Sequence, residues 1–483
     1  MPGPYIVPMQ VNRPLVNHHR PKLVSLGDSL TAGMRNGNLG KADTQTSFPS
    51  LLADQVDLSH QKAQLSGNIV SSVFRDGQFR TRGAVLSTLR ASLSLALPSA
   101  FTSLGFEAPS WSFLPSAYLA GVPFDQASDN LGIPGLRSDE LQDLKSTSDL
   151  LQQRSSGKDR SQIAMQSALV RGFCHENDQP ASVVDKAAAA KPDVITLGIG
   201  SNDVMEAVLT GRLDDKTLRP VEDKIWTYSD RGADGQVTEK KSAEVMPGFR
   251  TNLNSAVDRL LQETDAEIML MNIVDITKMP LIQTVGQPIG GLPFAVANLA
   301  GSDITDKVVG KTIPNKVKGE GLEGRETFPQ GSKISLLTLL GDITRGKLGR
   351  SYREDQVLDP DELKAVRQRI TDMNQVIAEK AASSPRVHLV DIHGVIEQAA
   401  GPEGLPLRGE GDLTVGAGFA EGKDENGRPG LFSMDGMHPA PVGYGVMANR
   451  FLETAKRAAV TRPKLQAFAD AQPIDEIALT KAD

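Results

Sequence analysis

The sequence predicts an α/β fold in which a parallel sheet is covered by helices on both faces. Three observations carry that expectation. Short apolar runs recur near residues 23–26, 193–198, 267–276 and 386–392. Segments with helical spacing of apolar residues separate them, and alternating strands and helices build parallel sheets. Ser29, Asn202 and His393 each follow the carboxyl end of such a run, where ligands collect in open α/β sheets.

Composition narrows the function classes. The chain has 483 residues, 39% of them hydrophobic, and a formal net charge of −7 with no long basic block. That balance suits a real core and argues against a nucleic-acid partner. No uninterrupted apolar run reaches the roughly 18 residues of a transmembrane helix. Cys174 is the single cysteine, so neither an intrachain disulfide nor a thiolate zinc site is available. The first 22 residues lack the apolar core of a signal peptide. The expectation is a protein that stays inside, or one whose leader lies outside this numbering.

Residues 22–33, KLVSLGDSLTAG, read as a strand running into a turn that places Ser29 just past its end. Gly27 admits a positive φ and leaves room beside the serine. Residues 43–58 are expected to be one helix with Pro49 in its first turn. Residues 83–124 are rich in Leu, Ala, Ser and aromatics, with Leu86, Leu89, Leu93 and Leu97 at helical spacing. They are expected to pack on the core, or to form a lid or acyl-binding wall. Residues 130–143 are a turn leading into a helix, with Ser138 as its cap. Helices are expected over 151–191, 249–263 and 361–380, and after the loop at 433–440. Residues 280–350 lack periodicity and read as an insertion, 399–430 as a glycine-rich excursion, and the segment after 460 as a polar tail.

A serine hydroxyl is a weak nucleophile, so Ser29 needs a base and an oxyanion hole. Of the seven histidines, His18 and His19 lie in a proline-rich arm, His60 and His175 in unpatterned stretches, and His388 inside a strand. His393 is the runner-up, since it follows a strand. His438 has the better context: Asp435-Gly436-Met437-His438-Pro439 places a carboxylate three residues before an imidazole. One loop can then bond the carboxylate to Nδ1 and leave Nε2 to take the serine proton. Pro439 restricts the backbone of His438. Oxyanion donors are available from the backbone N–H of Ser29 and of Gly135 and from the side chain of Asn202.

These blocks resemble the SGNH or GDSL esterases and lipases. Gly27-Asp28-Ser29-Leu30-Thr31-Ala32-Gly33 is similar to the first block of that family. Asn130 and Gly135 match its second, Gly200-Ser201-Asn202-Asp203 its third, and Asp435 to His438 with Pro439 its last. The resemblance implies a three-layer α/β/α sandwich with a central five-stranded parallel sheet. It implies Ser29, Asp435 and His438 as catalytic residues and Ser29, Gly135 and Asn202 as the oxyanion hole, with no cofactor or metal. Thr31, two residues after Ser29, departs from the G-x-S-x-G elbow of the α/β-hydrolase fold. The closing segment is similar to larger bacterial members.

The expected organisation is an arm at 1–21, a hydrolase domain at 22–459 and a tail at 460–483. Insertions are expected near 60–125, 204–248, 277–360 and 395–430. The expected activity is serine-dependent hydrolysis of a small-molecule carboxylic ester or lipid. Alternatives are a carbohydrate O-acetylesterase, a binding or surface protein that keeps the fold without turnover, and a metal hydrolase using Asp28, Asp203, Asp435 and His438. Oligomeric state and localisation are not legible.

Overall fold

The computed structural model describes residues 20–35, 39, 41–62, 128–145, 181–215, 217–231, 237–289, 311–318, 326–336, 338–339, 351–433 and 435–481, with the backbone alone for 41, 226–231 and 237–244. The apolar segment 83–124, Cys174, His18, His19 and His175 lie outside the described residues.

Five strands form the central sheet: β1 (Leu23–Gly27), β2 (Asn130–Gly132), β3 (Val194–Gly198), β4 (Glu267–Met271) and β5 (Val387–Val390). Their order is β5-β4-β3-β1-β2, and every pairing is parallel. β1, β3 and β4 are buried along their whole length, as apolar strands covered on both faces should be. β2 has no apolar run to announce it: Asn130 and Gly132 flank Leu131, and pairing with Ser25 to Gly27 of β1 makes it a strand. β4 stops at Met271, well short of the expected 276, and a 3-10 turn follows at Ile276–Lys278.

The helices cover the sheet in two groups. On one side, α2 (Phe48–Val56) packs against α7 (Pro441–Ala459), which also lies on β4 and β5. The Phe48 and Phe451 rings stack with centroids 4.6 Å apart. On the other, α3 (Val183–Ala189), α5 (Phe249–Glu263) and α6 (Pro360–Ala382) pack in a row, with α4 (Ser201–Thr210) against α6. α6 has the strongest local code. Asp359 caps it by accepting the N–H groups of Asp361 and Glu362, both at 2.9 Å, and Glu362 reaches back to the Asp359 N–H. Pro360 occupies the first turn, and Leu363, Val366, Ile370, Met373 and Ile377 are buried as their spacing requires.

Several expectations change. The helix expected over 43–58 is two, Lys41–Gln45 and α2, because Ser47 turns its hydroxyl to the Ser50 N–H and restarts the chain as an N-cap. Ser138 does not cap the short helix Glu140–Asp143; Asp139 occupies that position, and Ser138 bonds elsewhere. Within 204–248 lies a hairpin, Lys224–Arg231 with Val237–Met246. Within 277–360, Ile282–Thr284, Lys333–Ser335 and Val357–Leu358 pair antiparallel. Within 395–430, Leu405–Pro406 and Thr414–Phe419 join Gly430–Phe432 in a small sheet. The segment after 460 packs against α7 through a 3-10 helix, Pro463–Phe468, and a helix, Glu476–Leu479, burying Leu465 and Phe468.

Truncating Phe451 removes a ring that is fully buried against Phe48. Phe451→Ala should lower unfolding free energy by about 3–5 kcal/mol, read as a fall in the urea midpoint at unchanged slope. An unchanged midpoint would show that the α2–α7 contact is dispensable.

Candidate active site

The turn after β1 is built tightly. Gly27 has φ +151°, and a Cβ there would lie 2.2 Å from the Gly198 carbonyl oxygen and 2.4 Å from the Thr31 hydroxyl. The glycine is therefore required by the neighbouring strand and by the following turn, rather than by room for a substrate. Asp28 caps α1 (Ser29–Ala32), its Oδ1 accepting the Leu30 N–H at 3.0 Å. Asn130 Nδ2 donates to the Thr31 carbonyl at 2.8 Å, tying α1 to β2. Ser29 thus opens a helix pinned on two sides, beyond the carboxyl end of β1.

Gly135 lies in the Ile133-Pro134-Gly135-Leu136 turn, closed by the Leu136 N–H on the Ile133 carbonyl at 3.0 Å. Proline at the second position and a glycine with φ +77° at the third are the requirements of a type II turn. The Gly135 N–H stands outside that closing bond. Asn202 is in the first turn of α4, whose N-cap, Gly200, has φ +111°. Asn202 Nδ2 donates to the Leu136 carbonyl at 3.0 Å and to Asp28 Oδ2 at 3.3 Å. An amide nitrogen carries two hydrogens, so both are spent in this state. The two bonds bring the Ser29, Gly135 and Asn202 segments together.

Asp435 and His438 form a buried pair. His438 Nδ1 lies 2.7 Å from Asp435 Oδ2. Asp435 Oδ1 accepts the N–H groups of Met437 and His438 at 2.9 and 2.8 Å, folding the loop around the carboxylate. Burial opposes ionisation of Asp435, but the nearby His438, its ring bond and the two N–H groups outweigh it and hold this carboxyl below the usual range. His438 Nε2 is buried without a hydrogen-bond partner among the described residues. The Ser29 side chain makes no hydrogen bond among them either. The Asp–His half of the expected constellation is assembled, and the serine–histidine link is not made in this state.

The other histidines among the described residues have structural partners. His393 Nδ1 is 2.9 Å from the Ile273 carbonyl and opens the helix His393–Ala399, so the runner-up base is held against the backbone. His388 Nε2 bonds Glu267 at 2.8 Å, and His60 Nδ1 faces the Leu23 carbonyl at 3.0 Å.

Residues outside the expected set complete the site. Burial raises Asp28 to about 6, against the lowering effects of the Leu30 N–H and of His438. Burial likewise raises Asp203 to about 6, against Arg219 and the bonds from Ser138. Tyr444, fully buried in the first turns of α7, donates to the Met34 carbonyl at 2.6 Å and joins the histidine loop's helix to the segment after α1. The oxygens of Asp28, Asp203 and Asp435 face different partners, and no group of three or more His, Cys, Asp or Glu among the described residues could hold a metal ion. The sequence marks Asp28 and Asp203 as parts of motif blocks and as candidate metal ligands, and the structure gives them capping and loop-tying bonds instead; nothing local marks Tyr444.

The profile of the family described as GDSL-like Lipase/Acylhydrolase matches residues 23–451, from β1 to α7. The chain belongs to that family. Comparisons with curated proteins and with solved structures find no match. Family membership makes this GDSL-like chain a hydrolase of ester bonds in general terms, and the sheet order and flanking helices are those of its α/β sandwich. No helix among the described residues is long and apolar enough to cross a membrane.

The raised carboxyl of Asp28 has a consequence for stability. Its folded-state value, about 6, exceeds the unfolded 3.8, so between those values the folded chain holds the extra proton. This contribution to stability is present at acid pH and is lost as pH rises through about 6. Asp28→Asn removes the titration while keeping a capping side chain. Urea unfolding at pH 7 and pH 5 should show the parent gaining about 1 kcal/mol relative to the variant on acidification. A difference that stays flat would refute the raised value.

Proposed function

We propose that this GDSL-like protein is a serine-dependent carboxylic ester hydrolase. The observation that carries the reading is the buried Asp435–His438 pair, whose Nε2 has no partner among the described residues, joined to a sheet whose β1 end presents Ser29. His438 Nε2 takes the Ser29 proton as the serine oxygen adds to the ester carbonyl. Asp435, kept ionised, holds the ring by Nδ1 and stabilises the imidazolium. The oxyanion is received by the N–H groups of Ser29 and Gly135 and by Asn202 Nδ2, which exchanges its longer bond, to Asp28 at 3.3 Å, for the substrate oxygen. His438 then protonates the leaving alcohol. Water, deprotonated by the same imidazole, attacks the acyl-serine, releasing the acid and restoring Ser29. This route calls on no metal or organic cofactor. Long-chain lipid, short acyl ester and acetylated glycan all fit the chemistry, and they differ in the acyl group and alcohol that the walls of the site must hold.

Two measurements test the reading. Ser29→Ala should lower kcat on p-nitrophenyl acetate at least about 10⁴-fold and abolish fluorophosphonate labelling, whereas Asn202→Ala should lower kcat by about 10²–10³. A Ser29→Ala protein with parental turnover would overturn the assignment. Rates across C2, C4, C8 and C16 esters give the acyl preference: a sharp optimum at C2 removes lipid substrates, and a rise towards C16 removes the acetylesterase alternative.

A further inference from the structure

Beside the proposed oxyanion donors sits a carboxylate that the mechanism does not use. Asp203 is 1% exposed, and no cation among the described residues lies within ion-pair distance of it. The Arg219 guanidinium, whose charge favours the ionised carboxyl, pairs with Asp139 instead. An ionised carboxyl in such surroundings is costly unless hydrogen bonds compensate it. They come from one residue. The Ser138 hydroxyl donates to Oδ1 at 2.5 Å and the Ser138 N–H to Oδ2 at 3.0 Å, across 65 residues of sequence.

Ser138 is three residues past Gly135, and Asp203 directly follows Asn202. The loop carrying one proposed donor is thus tied to the helix carrying the other at two points: Leu136 to Asn202, and Ser138 to Asp203. The first tie is made by the donor amide itself, the group that also receives the oxyanion. Only the second is independent of the reacting atoms. The Asp203 carbonyl also accepts the Arg219 N–H at 2.9 Å, which anchors this turn of α4 to the chain beyond it.

We propose that Asp203 is a positioning residue of the oxyanion hole: by holding the Ser138 N–H and hydroxyl, its carboxylate fixes the separation of the Gly135 and Asn202 donors throughout turnover. The inference rests on the reading of Gly135 and Asn202 as oxyanion donors. Donors aimed in advance stabilise the transition state more than the bound ester, so their displacement acts on kcat. Asp203 itself does not touch substrate.

The test uses the full chain with p-nitrophenyl acetate as substrate and butylboronic acid, which forms a tetrahedral adduct with an active serine, as transition-state analogue. Asp203→Asn places an amide hydrogen where Ser138 needs an acceptor. It should lower kcat by about 10–100-fold with KM within about threefold, and raise the boronate Ki by the factor that kcat/KM loses. Ser138→Ala keeps the backbone bond and should show the same split at roughly a tenth to a third of that factor. It also decides the matter if Asp203→Asn does not fold. A merely structural role would lower the melting temperature while leaving kcat and boronate Ki of the folded fraction at parental values, and that result overturns the proposal. Asn202→Ala separates the two failures. If it is impaired while Asp203→Asn and Ser138→Ala are parental, only the positioning role falls; if it too is parental, the oxyanion reading falls with it.

Discussion

The site depends on the close parallel pairing of β1 with β3, in which Gly27 lies opposite Gly198. No side chain fits on Gly27 at these strand ends: a Cβ there would lie 2.2 Å from the Gly198 carbonyl oxygen. Since the strands run in the same direction and end together, the residues beyond them emerge at one edge. Ser29 and Asn202 become neighbours although 173 residues separate them, and Asp28 and Asn202 bond across the gap. A slip of one residue would reverse the facing of every side chain along β1 and β3 and part the two turns. The close approach at Gly27 suits the register in which it faces Gly198.

Three buried carboxyls surround this edge, and their surroundings divide them. Asp435 accepts bonds from a ring and two N–H groups and is held low. Asp28 and Asp203 accept from two donors each, and burial pushes both to about 6. Asp435, the group that the proposed mechanism needs ionised to support an imidazolium, is the one whose charge is best compensated. The other two, beside Asn202, tie turns together.

Much of this was legible in the sequence, and the losses have physical causes. α5 spans the residues that its apolar spacing marks, and α6 extends the expected 361–380 to Pro360–Ala382 through its cap. β1, β3 and β5 announce themselves as apolar runs. β2 does not, because an edge strand of three residues draws its conformation from its partner. Ser138 reads as a helix cap by local pattern, yet its hydroxyl finds a stronger, charged acceptor in Asp203. Local spacing carries no information on a bond that crosses 65 residues. The Asp435–His438 pair was legible because three residues separate the partners and one loop closes the contact. The bonds of Asn202 to Leu136 and Asp28 required three segments to be placed at once.

The segments between the motif blocks also enter the site's construction. The histidine loop has little regular structure of its own, and its geometry is imposed from outside. Phe432 bridges Pro439, the Ala440 N–H reaches the Leu431 carbonyl at 2.9 Å, and the Ser433 N–H reaches the His438 carbonyl at 2.8 Å. The strand supplying these contacts, Gly430–Phe432, pairs with Thr414–Phe419 at the end of the excursion over 395–430. From the segment at 277–360, the Leu281 N–H donates to the Gly436 carbonyl at 3.0 Å, and the Leu281 carbonyl accepts from Leu336 at 2.7 Å. Gly436 has φ +70° and sits so close to Leu281 that a Cβ would lie 2.9 Å from its nitrogen. The segments between the motif blocks therefore brace the proposed base from two sides, and the central sheet alone would leave the loop holding Asp435 and His438 without those braces.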